Sequence, residues 1–393
     1  MEGEERIMNK NLGNENQKTT ESGELRKLGF GMMRLPRRGV NIDLERTGRM
    51  VDLFMEAGFT YFDTAFIYPG SENAVRRALV ERYPRESYQL ATKLYAGVMP
   101  TAGAAKREFA SSLRKTGAGF FDYYLLHSLR GSNVKKYEKF GLWDFVGEQK
   151  EKGLIRNIGF SFHDGPELLD EILTKHPETD FVQLQINYAD WDDPRVSARA
   201  NYETARRHGK PVVIMEPVKG GRLADPPKEV KQLLLEYAPG ASCASWALRF
   251  AASLEGVLTV LSGMSTEEQV MENIRLLAEP EPLNREEQRI IRRVRAIMGA
   301  SKEIPCTACG YCLEQCPKEI PIPDIFTAMN SWLGAGQAAE AQTQYEAATK
   351  GGSSAGDCIH CGACEEICPQ QIEIRKELTA AAEEFTGSRN EKN

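Results

Sequence analysis

The stretch Phe62-Asp63-Thr64-Ala65-Phe66-Ile67-Tyr68 decides how the rest of the chain reads. It follows an apolar run that begins at Phe59 and precedes Ser71-Glu72-Asn73, which has the character of a helix start. A short apolar strand therefore ends by delivering an Asp and then, on the following loop, a Tyr. Two later runs end in the same manner. Tyr88-Gln89-Leu90-Ala91-Thr92-Lys93 closes on Lys93, and Phe121-Asp122-Tyr123-Tyr124-Leu125-Leu126-His127 closes on His127. A (β/α) barrel puts the C-terminal ends of its strands on one face, so these four polar groups form a candidate catalytic set.

The set resembles the tetrad of the aldo/keto reductases, which implies carbonyl reduction, and the chemistry of that reaction can be followed in its residue types. Reducing a carbonyl needs a hydride at carbon and a proton at oxygen. A phenol near pKa 10 is a poor acid at neutral pH, and a neighbouring ammonium lowers that value. Lys93 is expected to do this to Tyr68, with Asp63 keeping Lys93 charged and oriented. His127 is expected to hydrogen-bond the carbonyl oxygen. Taken singly, Asp63 and Lys93 read as a buried ion pair and His127 as a core histidine. Their joint occurrence at three strand ends favours catalysis. In order and spacing, Asp63, Tyr68, Lys93 and His127 resemble the tetrad of the aldo/keto reductases, and the resemblance covers roughly residues 25 to 280.

Working outward, apolar strands alternate with amphipathic helices, the pattern of parallel βα units. Strands are expected near 28–35, 59–64, 88–93, 120–126, 155–161, 181–186, 211–216 and 257–261. Helices are expected between them, among them 137–152 and 194–208, with the last near 267–277. Eight units close a TIM barrel over residues 24–280. Residues 1–23 are polar without apolar pattern and read as a disordered arm. Between the seventh strand and the seventh helix, Arg222 to Gly240 is long for a barrel loop and holds a possible helix at 229–237. It reads equally as a clamp over a cofactor or as an inert insertion.

The resemblance implies a nicotinamide nucleotide, NADP or NAD, against the second half of the barrel. Gly31 and Met32, in Gly29-Phe30-Gly31-Met32-Met33-Arg34-Leu35-Pro36, stand at the family's first strand. Ser161 and Gln183 match residues that contact the carboxamide, although Phe162 replaces the Asn that often follows the Ser. Met215 stands where an aromatic residue commonly stacks on the ring. Glu216, Pro217, Gly220 and Gly221 match the turn under the pyrophosphate, with Lys219 or Arg222 as sources of positive charge. Aligned on Glu272-Asn273, Gly263 and Gln269 replace the cations that often grip a 2′-phosphate, which leaves NADP against NAD open. Ordinary barrel packing accounts for the same residues.

From about Glu281 the pattern changes. Residues 281–300 read as a charged amphipathic linker helix. The run Cys306-x2-Cys309-x2-Cys312-x3-Cys316-Pro317 then returns 52 residues later as Cys358-x2-Cys361-x2-Cys364-x3-Cys368-Pro369. Eight of the nine cysteines lie there; Cys243 alone is outside and reads as a small buried apolar residue. Structural zinc takes ligands in two pairs and fits this spacing poorly. The spacing resembles bacterial-type ferredoxins, whose fourth Cys serves the other cluster. The resemblance therefore implies two [4Fe-4S] clusters, one on Cys306, Cys309, Cys312 and Cys368, the other on Cys358, Cys361, Cys364 and Cys316. The ferredoxin-like unit is expected over 301–380, with a polar helix after Lys376 that frays into a polar tail over 381–393.

The whole resembles a ferredoxin-fused branch of the aldo/keto reductases: an oxidoreductase acting on a small carbonyl or alcohol. Hydride transfer moves two electrons and clusters move one, so a flavin is a conceivable bridge, although no flavin motif is present. Two other readings stand beside this one: purely structural clusters, or a redox-sensing, partner-binding protein. A redox partner protein at the ferredoxin unit is a further expectation. A net charge of −6, from 50 basic and 56 acidic residues, gives no case for nucleic acid or an anionic membrane. No apolar run approaches ~18 residues, and the expectation is a cytoplasmic protein.

Overall fold

The computed structural model describes residues 26–335 and 337–387. The expected N-terminal arm and the last residues of the expected tail lie outside the described residues. Along the chain come β1 (Leu28–Gly31), a small hairpin of β2 (Arg37–Arg38) and β3 (Asn41–Ile42), then β4 (Tyr61–Asp63), β5 (Gln89–Leu94), β6 (Phe121–Leu129), β7 (Ile155–Phe162), β8 (Phe181–Gln185), β9 (Val212–Met215) and β10 (Val257–Ser262). All but the hairpin are parallel. They close a barrel in chain order, with β10 pairing back onto β1.

Both faces of a parallel sheet are covered, so its strands carry apolar residues on both. Inward, Tyr61, Ala91, Leu125, Phe181, Val213 and Leu261 pack together and fill the barrel. The Phe181 ring stands 2.6 Å from where a Cβ on Gly159 would lie, so only glycine fits there. Outward, Phe62, Leu90, Tyr124, Phe160, Val182 and Ile214 meet the surrounding helices. Those helices start where short polar side chains can accept an orphan backbone N–H. Asp43, Thr101, Ser242 and Thr266 do so for the helices beginning at 44, 102, 243 and 267.

Several boundaries differ from the sequence expectation. The first strand stops at Gly31 and passes into a 3-10 turn, Met32–Arg34, instead of running to Leu35. The helix expected over 137–152 is two, Val134–Lys139 and Leu142–Glu151, because Gly141 takes φ 58° between them. The helix expected from Pro194 begins only at Ala198. The 222–240 segment is not an inert insertion: Ala224 lines the cavity on this face of the barrel. Its helix, Lys228–Tyr237, buries Val230 and Leu234 in one cluster with Ile290, Ile291 and Val294 of the helix Arg285–Ala300. Cys243 is buried in the same cluster.

The C-terminal module repeats its backbone as well as its cysteines. Left-handed φ occurs at Ala308, Gly310 and Glu319, and again at His360, Gly362 and Gln371, each pair 52 residues apart. Short helices Tyr311–Gln315 and Ala363–Ile367 follow the two glycines. The core comprises Ile320, Ile322, Phe326, Ile372 and Ile374 among others. The tail expectation is corrected here. The helix Ile374–Gly387 continues through residue 381, and Phe385 stacks on Tyr345 at 4.5 Å, buried in the module core. Burying a Phe contributes about 1.5–3 kcal/mol, which holds this helix down.

The module sits on the catalytic face of the barrel. Arg34 donates to the carbonyl of Thr307 at 2.8 Å, Arg222 to that of Ile304 at 2.9 Å, and Arg130 to those of Glu366 and Cys368 at 2.8 and 3.3 Å. Gln185 and Gln370 exchange amide hydrogen bonds. Gly220 has φ 64°, and a Cβ there would lie 2.5 Å from the Thr307 Cβ, so backbone meets module without an intervening side chain.

Candidate active site

Register between β4 and β5 aligns Asp63 with Ala91, and β5 with β6 aligns Lys93 with Leu125. The polar strand ends thereby converge on one face. Lys93 Nζ donates to Asp63 Oδ1 at 2.5 Å, to the Thr64 carbonyl at 2.8 Å and to the Tyr68 hydroxyl at 3.4 Å. Tyr68 and His127 meet edge to face with ring centres 5.9 Å apart. All four side chains are buried. Asp63, Tyr68 and His127 line a cavity of about 560 Å³, and Lys93 stands behind it.

Burial is the largest influence on each group. It pushes the Asp63 carboxyl up and the Lys93 ammonium down, and each is pulled back by the other's charge. The His127 imidazole is held well below its usual value by burial and then by the Lys93 charge, so it is neutral. Tyr68 departs from the expectation drawn from Lys93. Its phenol is pushed well up, first by burial and then by Tyr311 and Asp63. Lys93 lies closer to Asp63 than to Tyr68, and the Tyr68 hydroxyl rests protonated.

Of the expected nucleotide contacts, Gly31, Gln183, Met215, Glu216, Pro217, Gly263 and Asn273 line the same cavity, as do Gly220, Gly221 and Gln269. Gln183 Nε2 points to the Met215 sulfur at 3.5 Å, and Asn273 donates to Ser262 at 2.9 Å. Two expected contacts are not on the lining. Met32 is fully buried, its carbonyl accepting from Ser71 at 2.8 Å. The hydroxyl of Ser161 accepts from the Ser128 N–H at 2.7 Å, which holds Ser128 at φ 57°. The two expected cations are also committed elsewhere: Lys219 pairs with buried Asp190, and Arg222 with Glu303 of the module.

Among the described residues, Asp63 Oδ2, His127 Nδ1, Gln183 Oε1 and Glu216 Oε2 are buried lining atoms without a hydrogen-bond partner. Buried polar atoms are normally satisfied, so these fit a polar ligand such as a carbonyl group with a carboxamide beside it.

Among the lining residues that sequence reasoning missed are three titratable groups. Arg34 enters from the turn after β1, its side chain 3.4 Å from the Cβ position of Gly263. His163 follows Phe162 and is pushed down to about 3 by burial and the Arg130 charge. Tyr311, from the module, shares the lining with Tyr68 and is near enough to raise that phenol's pKa. Arg34 and His163 lie beside residues already singled out, but no spacing brings Tyr311 to the barrel.

The cysteines surround two further cavities. Cys306, Cys309, Cys312 and Cys368 line one, and Cys316, Cys358, Cys361 and Cys364 the other. Backbone N–H groups lie beside the sulfurs: Ala308 donates to Cys306 Sγ at 3.4 Å, and those of Ile372, Gln370 and Gln371 offset the burial that pushes the Cys368 thiol up. Such N–H cradles suit an anionic thiolate-bound cluster. Cys309, Tyr311 and Pro369 line both the first of these cavities and the catalytic one.

The sequence model of the aldo/keto reductase family matches residues 27–296, and that of the 4Fe-4S dicluster domain residues 305–373. The chain belongs to the aldo/keto reductase family and carries a C-terminal 4Fe-4S domain. The family region reaches past the expected boundary at 280 and takes in most of the helix Arg285–Ala300, consistent with that helix packing on the barrel. An aldo-keto reductase of Mycolicibacterium smegmatis is 29% identical over 230 residues, 58% of this chain and 75% of that protein. One of Strobilurus tenacellus is 28% identical over 211 residues, 50% of this chain and 59% of that protein. Among solved structures, the holo form of an aldo-keto reductase from Bacillus halodurans superposes with TM-score 0.54 at 25% identity, covering 68% of this chain and 91% of that one. A Klebsiella pneumoniae aldo/keto reductase in complex with NADP and acetate gives 0.56 at 21%, covering 69% and 92%. Among the described residues no helix is long and apolar enough to cross a membrane.

Proposed function

We propose that this protein reduces a small carbonyl compound, or oxidises the corresponding alcohol, with a nicotinamide nucleotide and two [4Fe-4S] clusters. The observation that carries the reading is Lys93 Nζ, held within reach of both Asp63 and Tyr68 just behind the lining of one cavity. When bound, the nucleotide would supply the hydride, which with one proton completes the two-electron reduction, and the clusters would pass single electrons between a redox partner and a carrier such as a flavin that can divide the pair. Tyr68 gives the carbonyl oxygen its proton, and Lys93 with Asp63 steadies the phenolate left behind. Neutral His127 orients the carbonyl through a ring nitrogen. Gln183, with an unpartnered amide oxygen, would hold the carboxamide, and Met215 would pack against the ring.

Cys306, Cys309, Cys312 and Cys368 would hold the cluster nearer the barrel, and Cys316, Cys358, Cys361 and Cys364 the other. Cys361 is the exposed ligand and Cys309 the one on the catalytic cavity, an arrangement that favours electron transfer over a purely structural role. The test is anaerobic turnover of aldehydes with NADPH and NADH, measured before and after cluster removal, with cofactor extraction to detect any flavin. Equal rates after removal would leave the clusters structural; no turnover with any carbonyl would end the reductase reading.

A further inference from the structure

The internal repeat supplies its own comparison for one residue of the module. Position 311 in the first cysteine run corresponds to position 363 in the second, since 311 + 52 = 363, and the residues are Tyr311 and Ala363. Both open the short helix that follows a left-handed glycine, Gly310 or Gly362. The second cysteine cavity is built with alanine at this place, so a tyrosine is not needed to form one. What distinguishes the first run is its surroundings. Tyr311 lines the catalytic cavity together with Tyr68, as well as its own cysteine cavity. The backbone beside it is fixed: Thr307 lies against Gly220 and accepts from Arg34, so Tyr311 is delivered at a set depth.

We propose that Tyr311 is the specificity-determining residue of the carbonyl site: its ring limits the size of group that can sit beside Tyr68, and its hydroxyl serves as a second hydrogen-bond partner for the incoming oxygen. The iron–sulfur module, instead of a barrel loop, thereby selects the substrate. The placement follows from shape. A carbonyl oxygen that takes a proton from Tyr68 must enter where Tyr68 and Tyr311 both line the cavity, and a bulky substituent must then displace the Tyr311 ring. Small aldehydes and ketones are the class admitted. The proposal rests on the assignment of Tyr68 as the proton donor.

The test is isothermal titration of acetate and of benzoate, a small and a bulky stand-in for a carbonyl, into anaerobically purified, iron-replete protein containing NADP. Tyr311→Ala is expected to shift the benzoate-to-acetate affinity ratio by about tenfold or more toward benzoate, the scale on which a pocket discriminates apolar bulk. Tyr311→Phe keeps the ring and should keep the ratio while weakening acetate about fivefold, the loss of one hydrogen bond. Because Ala363 already occupies the equivalent place, Tyr311→Ala should keep its full iron content, which is counted on the same sample. An unchanged ratio in Tyr311→Ala at full iron content, or no carboxylate binding by any of the proteins, overturns the proposal. Aldehyde turnover by wild type and Tyr68→Phe is measured in parallel. A Tyr68→Phe variant as fast as wild type would sink the acid assignment while leaving the binding ratio to decide Tyr311.

Discussion

Lys93 Nζ lies 3.4 Å from the Tyr68 hydroxyl, with its shorter contact, 2.5 Å, to Asp63. The ammonium is thus placed to stabilise a Tyr68 phenolate, as the proposed acid role requires. Tyr68→Phe should lower carbonyl reduction by ~10² to 10⁴, the usual contribution of a general acid. Nucleotide binding should change little. Steady-state rates and a nucleotide titration on the same preparation check both halves.

Glu108 contributes a pH dependence of its own. Burial pushes its carboxyl up to about 8, although the Tyr95 N–H, donating at 2.9 Å, pulls it back. Its unperturbed value is 4.5, so the folded state holds a proton that the unfolded chain releases. Stability from this group is complete below about 4.5 and declines as pH rises toward about 8, at no more than ~1.4 kcal/mol per pH unit. Glu108→Gln keeps an acceptor for Tyr95 and removes the titration. Its melting temperature should gain on the wild type progressively between pH 5 and pH 8. A constant difference across that range would contradict the assignment.

Gly220 and Gly221 separate two effects of a side chain. Both have positive φ, 64° and 101°, but only at Gly220 would a Cβ strike the module, 2.5 Å from the Thr307 Cβ. Gly221→Ala should carry the backbone strain alone, roughly 1–2 kcal/mol. Gly220→Ala should lose about 1–3 kcal/mol more through overpacking. It should also loosen the module, seen as faster proteolysis between residues 296 and 305.

No strong NADP preference is expected, because Gly263 and Gln269 stand where cations commonly grip the 2′-phosphate. Arg34, beside Gly263, is a lining cation, and it is shared with the Thr307 carbonyl. Dissociation constants for NADPH and NADH should differ by less than about a hundredfold, or ~2.7 kcal/mol. A larger advantage that vanished in Arg34→Ala would identify the clamp.

The two cysteine cavities predict crossed effects. Cys316→Ala should damage mainly the cluster held by Cys358, Cys361 and Cys364, and Cys368→Ala mainly that held by Cys306, Cys309 and Cys312. Anaerobic iron counting with electron paramagnetic resonance on each variant distinguishes this from uncrossed ligation. Far-ultraviolet circular dichroism should show the barrel intact in both.

By itself the sequence determined the alternation that closes the barrel, the strand-end identities of Asp63, Lys93 and His127, and the doubled cysteine run. These are local properties: strand apolarity, loop chemistry and ligand spacing repeat at fixed intervals that a linear chain displays. It misjudged the helix broken at Gly141 and the tail from residue 381, where a single left-handed glycine and a single Phe385–Tyr345 contact override composition. Only the tertiary structure decided that Ser161 turns to Ser128 and that Lys219 and Arg222 are committed to Asp190 and Glu303. Only it could bring Tyr311 to Tyr68, 243 positions apart since 311 − 68 = 243. Contacts of that kind depend on how two separately folded units dock, and docking is set by shape and by glycine-permitted approach at Gly220, neither of which leaves a periodic mark in the chain.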